Sequence, residues 1–311
     1  MIKKFFILIL ISVATSCSND DDTTPEIEGS FANSIFINNG KVLSSGVEFS
    51  NTRTTTYWID HSAVDSTTFV AALETGSVYR GTVDDAFRKT FVSKTSSSTQ
   101  ADLYSFNQGA FTAAGTIGYF KNSNLETTTI SNPGILSAIH FYKKQAYFCG
   151  HFSEEVVTEA GAGFRPDIPF FWDGSAEVVE LPVSQDAFFR GVSCVFVDED
   201  NFYVGGKMPF PMYWKNTELI QLGSLFGEVN QITVNKGDVY AVGYYNKNDS
   251  NSTGNTACYW KNEELVELED DAQATGIYID GTDIYVCGST GRDQASYKAC
   301  YWKNGVRVAL P

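Results

Sequence analysis

The tetrapeptide Tyr213-Trp214-Lys215-Asn216 returns as Tyr259-Trp260-Lys261-Asn262 and as Tyr301-Trp302-Lys303-Asn304. Looser copies stand at Phe171-Trp172-Asp173-Gly174, Tyr119-Phe120-Lys121-Asn122 and Tyr57-Trp58-Ile59-Asp60. All five tryptophans of the chain belong to this element. A chain whose aromatic landmarks recur in one local setting is built of repeats, and the repeat governs its fold.

A glycine closing an apolar run is the second marker. It ends Asp283-Ile284-Tyr285-Val286-Cys287-Gly288, Asp238-Val239-Tyr240-Ala241-Val242-Gly243, Asn201-Phe202-Tyr203-Val204-Gly205-Gly206 and Gln145-Ala146-Tyr147-Phe148-Cys149-Gly150. Weaker copies end at Gly46 and Gly115, and Ser77-Val78-Tyr79-Arg80-Gly81 fits with one residue missing. The two markers differ in count, six for the tryptophan element and seven for the glycines. Gly81 divides the 69-residue gap between Gly46 and Gly115 into near-equal parts, so seven units are expected, with six as the alternative.

Each unit has the same grammar. An apolar run leads to a tight turn such as Asn38-Asn39-Gly40, Glu74-Thr75-Gly76, Asn235-Lys236-Gly237 or Asp280-Gly281-Thr282, the chemistry of a β-hairpin. The Tyr-x-x-Gly strand follows, then a loop of variable length, the Tyr-Trp strand, a Lys-Asn turn and a last short strand. No segment of useful length has helical periodicity. Runs apolar on both faces suit sheets sandwiched between neighbours, whereas a β-sandwich alternates more cleanly. The expected fold is therefore all-β: a β-propeller of four-stranded blades over residues 31–311. The pattern resembles that of bacterial extracellular propellers with kelch-like or Trp-Lys-Asn-Gly repeats, a likeness that speaks to architecture more than to activity.

The N-terminus reads as an address. Lys3 and Lys4 precede the apolar run Phe5–Val13, and small residues lead to Cys17, the layout of a secretory signal over residues 1–16. Ala14-Thr15-Ser16-Cys17 resembles a relaxed bacterial lipobox, without the usual Leu three residues before the Cys. The resemblance implies a lipidated Cys17 as mature N-terminus, anchored through buried acyl methylenes; the alternative is plain cleavage and a soluble product. Ser18-Asn19-Asp20-Asp21-Asp22 looks like the acidic tether that directs some Gram-negative lipoproteins to the outer face of the outer membrane. Residues 17–30 are expected to be a flexible acidic tether.

The formal net charge is −15, and loss of Lys3 and Lys4 takes it to −17, which excludes a general electrostatic grip on nucleic acid. Five cysteines remain beyond Cys17, an odd number that argues against a complete disulfide framework. Cys149 and Cys287 share the position before the repeat glycine, and Cys258 and Cys300 the position before Tyr-Trp, so they read as small buried hydrophobes. A Cys287–Cys300 disulfide is the alternative.

Chemistry is sparse. His140 takes the repeat position of Phe196, Thr233 and Tyr278 and reads as a packed strand residue; His151 follows a repeat glycine at a strand end. Asp60-His61-Ser62 cannot form a triad, because adjacent residues do not converge as nucleophile, base and orienter. Asp198-Glu199-Asp200 reads as a solvated turn rather than a calcium site, and three dispersed histidines make no zinc site. No catalytic residue, metal or cofactor is expected.

The non-repeating parts are the long loops 152–168, 244–255 and 289–298, which all join the second and third strands of their units. In a propeller these loops share one face with the blade-to-blade crossovers, and loops on a rigid scaffold are where binding usually resides. Among crossover residues Arg190, Gln273 and Glu228 are candidates to reach the central funnel, and Phe188 with Phe189 an apolar platform. The expected function is an outer-membrane-anchored, outward-facing lipoprotein whose propeller binds a glycan or an extracellular protein. A propeller-type carbohydrate hydrolase or lyase and a structural envelope component are the alternatives.

Overall fold

The computed structural model describes residues 29–49, 53–81, 89–96, 99–106, 117–128, 130, 134–152, 155–158, 161–164, 168–175, 177–183, 191–207, 210–247 and 254–311. Cys17, its signal and most of the tether lie outside them. The first strand begins at Gly29 rather than at residue 31.

Six antiparallel sheets make a six-bladed β-propeller. Blade 1 holds β1 (Gly29–Asn38), β2 (Lys41–Phe49), β3 (Arg53–Ile59) and β4 (Ser62–Val64). Helix α1 (Ser66–Ala72) follows. Blade 2 holds β5 (Val78–Arg80), β6 (Lys89–Lys94), β7 (Ala101–Phe106), β8 (Gly118–Lys121) and β9 (Asn124–Thr127). Blade 3 runs β10 (Gly134–Tyr142), β11 (Gln145–Phe152), β14 (Ile168–Trp172) and β15 (Val179–Glu180). The hairpin β12 (Glu155–Thr158) and β13 (Gly161–Phe164) projects from its long loop. Blade 4 has β16 (Val192–Val197), β17 (Phe202–Lys207), β18 (Pro211–Lys215) and β19 (Glu218–Gln221). Blade 5 has β20 (Gly227–Asn235), β21 (Asp238–Asn246), β22 (Asn255–Lys261) and β23 (Glu264–Asp270). Blade 6 has β24 (Ala272–Asp280), β25 (Asp283–Thr290), β26 (Lys298–Lys303) and β27 (Val306–Ala309).

Six blades replace the seven expected, and the error lies in Ser77–Gly81. That segment is no second strand of a blade of its own. It forms β5, an extra strand on the inner edge of blade 2, hydrogen-bonded to β6. The register identifies the regular strands of that blade. Tyr104 of β7 faces Lys121, as Tyr203 faces Lys215, Tyr240 faces Lys261 and Tyr285 faces Lys303. Phe91-Val92-Ser93-Lys94 is therefore the first regular strand of the blade. Gly115 lies outside the described residues.

The repeated tetrapeptide acts through local physics. The tyrosine (or its Phe171 counterpart) faces a small residue across the sheet: Ser45, Cys149, Gly205 or Cys287, with Val242 the largest. The tryptophan takes the other face and wedges against the preceding blade. Trp58 Nε1 donates to the Pro311 carbonyl (3.2 Å), Trp214 to that of Pro182 (2.8 Å) and Trp302 to the Glu269 carboxylate (3.0 Å). Trp58, Trp214, Trp260 and Trp302 are all buried, each an anchor whose truncation to Ala costs about 3–5 kcal/mol.

The lysine lies over the second-strand tyrosine and pairs with the aspartate two residues before it. Lys121 reaches Asp102, Lys261 reaches Asp238 and Lys303 reaches Asp283, at 2.9–3.0 Å. The asparagine takes the left-handed conformation the hairpin needs, at φ 49, 55, 47 and 51 for Asn122, Asn216, Asn262 and Asn304. Its side chain reaches back to the second strand: Asn262 Oδ1 accepts from Val239 N–H and its Nδ2 donates to Asp238. Asn122 and Asn304 repeat both bonds. Asp60 keeps the first, accepting from Val42 N–H.

Every regular innermost strand except β6 carries a β-bulge at one position, after Ala32, Leu136, Val192, Val229 or Ala274. Each of these residues pairs with a repeat glycine: Gly46, Gly150, Gly206, Gly243 or Gly288. The bulge pushes its backbone toward the partner strand. A Cβ on Gly46, Gly150, Gly243 or Gly288 would collide with the carbonyl oxygen of Phe31, Ile135, Glu228 or Gln273; on Gly206 it would meet the Trp214 ring at 2.9 Å.

The ring closes without a shared blade, since blade 1 is wholly N-terminal and blade 6 wholly C-terminal. Ser30 bridges the seam, its N–H donating to the Tyr297 carbonyl and its Oγ accepting from Ala299 N–H. Trp58 holds the C-terminal carbonyl, as above.

Candidate functional site

The innermost strands surround a channel along the propeller axis, and the polar residues in it follow from the bulges. The bulged residues are Asn33, Ser137, Ser193, Asn230 and Thr275, all small and polar. Ser193 Oγ donates to the Val229 carbonyl, Asn230 Nδ2 to that of Ala274 (2.8 Å) and Thr275 Oγ1 to that of Ala32. Each acceptor is the residue just ahead of the next blade's bulge. A belt of hydrogen bonds thus ties blades 4, 5, 6 and 1 together.

The connection from blade 1 to blade 2 enters this channel. Asp65 caps α1 by accepting from Thr68 N–H (2.8 Å). The far end of the helix is held by Lys94, whose buried Nζ donates to the carbonyls of Ala71 and Leu73, and by Asn38 on the Ala72 carbonyl. Phe69 and Tyr79 pack with Tyr57 and Leu43 of blade 1. Arg80 then extends across the channel. Its backbone N–H donates to Ser34 Oγ (3.0 Å), and its Nη2 donates to the carbonyls of Ser193 (3.0 Å) and Asn230 (2.6 Å), both bulged residues of the far wall. No carboxylate pairs with Arg80 among the described residues.

Arg80 lines two cavities. One, of about 360 Å³, lies toward the tight-turn end. Phe36, His140, Phe196, Thr233 and Tyr278 occupy the same register slot in five innermost strands and line it, with Glu74 at its edge. His140 packs beside Phe196, its ring tilted 43° with centroids 4.7 Å apart. Desolvation pushes its pKa down to about 4, so it is a neutral imidazole near pH 7. The repeat position of His140, Phe196 and Tyr278 is strand packing on one side and channel wall on the other, a dual role that repeat alignment alone does not reveal.

The second cavity, of about 390 Å³, opens at the long-loop end, where blades 6, 1 and 2 meet. Phe31, Phe49 and Arg53 come from blade 1, Arg80, Thr90 and Phe91 from blade 2, and Gln294 and Tyr297 from the long loop of blade 6. Phe31 and Phe49 stack at 5.2 Å, and the Arg53 guanidinium lies 5.7 Å from the Phe49 centroid. Among the described residues two guanidinium groups and no carboxylate line this cavity.

The expected site residues fare unevenly. Gln273 does not line either cavity; its Nε2 donates to Tyr297 Oη (3.0 Å) and so positions a ring that does. Glu228 stands in the same register slot one blade earlier and accepts from Tyr244 Oη (3.2 Å). Arg190, Phe188 and Phe189 lie outside the described residues. Sequence reasoning missed Arg80, Arg53 and Tyr297. Arg80 stood in a segment taken for a repeat strand, and the one-residue defect in that copy was the signal available.

The remaining candidates resolve into structure. Asp60-His61-Ser62 forms the blade 1 turn. Asp198 Oδ1 accepts from the N–H groups of Asp200 and Asn201, and Glu199 pairs with Lys143 (3.1 Å). No cluster of metal-ligating side chains occurs among the described residues. Cys149, Cys194, Cys258, Cys287 and Cys300 are buried and joined in no disulfide with one another, and Cys287 faces Tyr301 rather than Cys300. Burial pushes the thiol of Cys194 up to about 11 and those of Cys287 and Cys300 up to about 12.

No protein-family model matches the chain, and no curated protein matches its sequence. Among solved structures, the β-propeller domain of the Trilobed protease from Pyrococcus furiosus is similar at TM-score 0.48 and 9% identity, over 91% of this chain and 98% of that one. The acylaminoacyl peptidase of Pyrococcus horikoshii gives 0.38 and 12%, over 91% of this chain and 46% of that one. The sialidase of Trypanosoma rangeli gives 0.38 and 7%, over 88% of this chain and 54% of that one. These likenesses lie in architecture and carry no functional argument.

Proposed function

We propose that the protein is a lipid-anchored, outward-facing surface lipoprotein whose propeller is a non-enzymatic binding module for a glycan or extracellular protein, working from its long-loop end. The observation that carries the binding role is the cavity where blades 6, 1 and 2 meet. Arg53, Arg80, Gln294 and Tyr297 wall it, and none of them belongs to the tetrapeptide or to the bulge–glycine pairs that hold the blades. Concave, partly apolar sites with a few converging polar groups are the usual form of a ligand pocket. The usual retaining or inverting glycoside hydrolase works with two carboxylates flanking the scissile bond; among the described residues Glu74 is the one carboxylate lining either cavity.

The binding role is tested by screening the protein against glycans and secreted proteins, with Gln294→Trp as the cavity-filling variant. The hit is expected to vanish in the folded variant; a hit it retains unchanged moves the site elsewhere. The anchor is tested separately. Cys17→Ser is expected to release the protein from membranes, and unchanged retention would overturn lipidation.

A further inference from the structure

We propose that the cavity at the junction of blades 6, 1 and 2 is an oxyanion site, in which Arg80 and Arg53 hold a carboxylate or sulfate group of a saccharide. This rests on the binding role proposed above and specifies its ligand.

Arg80 carries the inference. A cation withdrawn into a protein channel needs a partner, because neutral carbonyls replace only part of the hydration it loses. Its Nη2 is occupied by the carbonyls of Ser193 and Asn230. Nε and Nη1 retain three N–H donors with no bond among the described residues, and a guanidinium presents such donors in a planar fork suited to an oxyanion. The two carbonyl bonds, together with the Ser34 bond to its backbone, fix Arg80 before any ligand arrives.

Arg53 adds a second positive charge to the same cavity, carried by the edge of the Phe31–Phe49 stack. Two guanidiniums concentrated here stand out in a chain of net charge −15. Its general field repels anions, so an anion would be held only where charge is locally reversed. The stacked phenylalanines and Tyr297 supply faces for a sugar ring. Gln294, with Tyr297 held in place by Gln273, offers neutral hydrogen bonds to hydroxyls.

The test is titration calorimetry of the full chain against galacturonate oligomers, sulfated galactose oligomers and neutral galactose oligomers. A charged oligomer is expected to bind at least about tenfold more tightly than the neutral one, with affinity falling as salt rises. Whichever charged series binds identifies the oxyanion. Arg53→Gln and Arg80→Lys are each expected to weaken that binding about tenfold. Arg80→Lys keeps the charge but loses the fork; should it fail to fold, Arg53→Gln, on the rim, still reports. Equal affinity for charged and neutral oligomers overturns the oxyanion site while the binding role stands. Charged binding unmoved by either arginine variant and by Gln294→Trp places the anion elsewhere and also overturns it. Failure of every charged oligomer to bind the folded wild type overturns it as well.

Discussion

Asn230 of blade 5 donates from Nδ2 to the carbonyl oxygen of Ala274 in blade 6 at 2.8 Å. Both residues stand at the bulge of an innermost strand, Asn230 as the bulged residue and Ala274 just ahead of it. The bond therefore does what backbone pairing cannot, joining two sheets whose edges do not meet. Ser193 and Thr275 make the same bond to Val229 and Ala32. The last of these crosses the junction between the first and last blades, where no shared strand closes the ring.

Thr275→Val keeps shape and removes the donor, leaving the Ala32 carbonyl without it. A loss of about 1–2 kcal/mol is expected, read as a lower urea midpoint. Asn230→Ala is expected to cost a similar amount, and the two losses should not simply add, since the acceptor of Asn230 is Ala274, the residue bonded to Thr275. Midpoints unchanged in both variants would show the belt to be energetically idle.

Gly243→Ala is expected to cost about 1–3 kcal/mol or more, because its methyl group would meet the Glu228 carbonyl and the bulge could not persist unshifted. Gly223 is the control. An added Cβ there meets only the Pro211 ring, at 3.8 Å, so Gly223→Ala should change stability little. Equal effects at the two positions, by thermal or chemical denaturation, would refute the bulge explanation of the repeat glycine.

Acid should loosen the blades. Hydrogen bonds from Lys261 and Asn262 hold the Asp238 carboxyl below the ordinary 3.8; Asn304 and Lys303 do this for Asp283, and Asn122 and Lys121 for Asp102. A group whose pKa is lower folded than unfolded stabilises the fold fully above its unfolded value. That contribution is lost as pH falls through the folded value. The melting temperature is therefore expected to be insensitive to these groups at pH 6–7 and to fall below about pH 4. Asp238→Asn with Asp283→Asn should flatten the acid slope. A slope identical to wild type would remove these clamps from the account.

The five propeller thiols should be silent. Attack requires thiolate, and desolvation keeps Cys194, Cys287 and Cys300 protonated far above pH 8. Cys149 and Cys258 are likewise buried. A thiol reagent at pH 8 is expected to leave all five unmodified in the native protein and to modify all five in concentrated guanidinium. Fewer than five in the denatured, unreduced protein would reveal a disulfide.

Short-range chemistry made most of the architecture legible. The Lys-Asn turn, the tyrosine across from a small residue and the buried cysteines depend on neighbours a few residues away or one strand over, and these repeat with the sequence. The blade count depended on what Ser77–Gly81 pairs with. An apolar run ending in glycine fits a second strand as well as an added inner edge, and only the bonds to β6 and the passage of Arg80 across the channel separate them. The site was less legible still. Gln273 was found from its place in a crossover, yet its work is to hold Tyr297, 24 residues away. Arg53, Arg80 and Tyr297 come from three blades, and nothing local marks them as neighbours. By itself the sequence determined the repeat, the strand grammar and the kind of packing, because those rest on periodicity and turn chemistry. The tertiary structure decided the six blades, the belt of bulge hydrogen bonds and the two-arginine cavity. Those arise where ring closure brings remote segments together, and closure is a property of the whole circle.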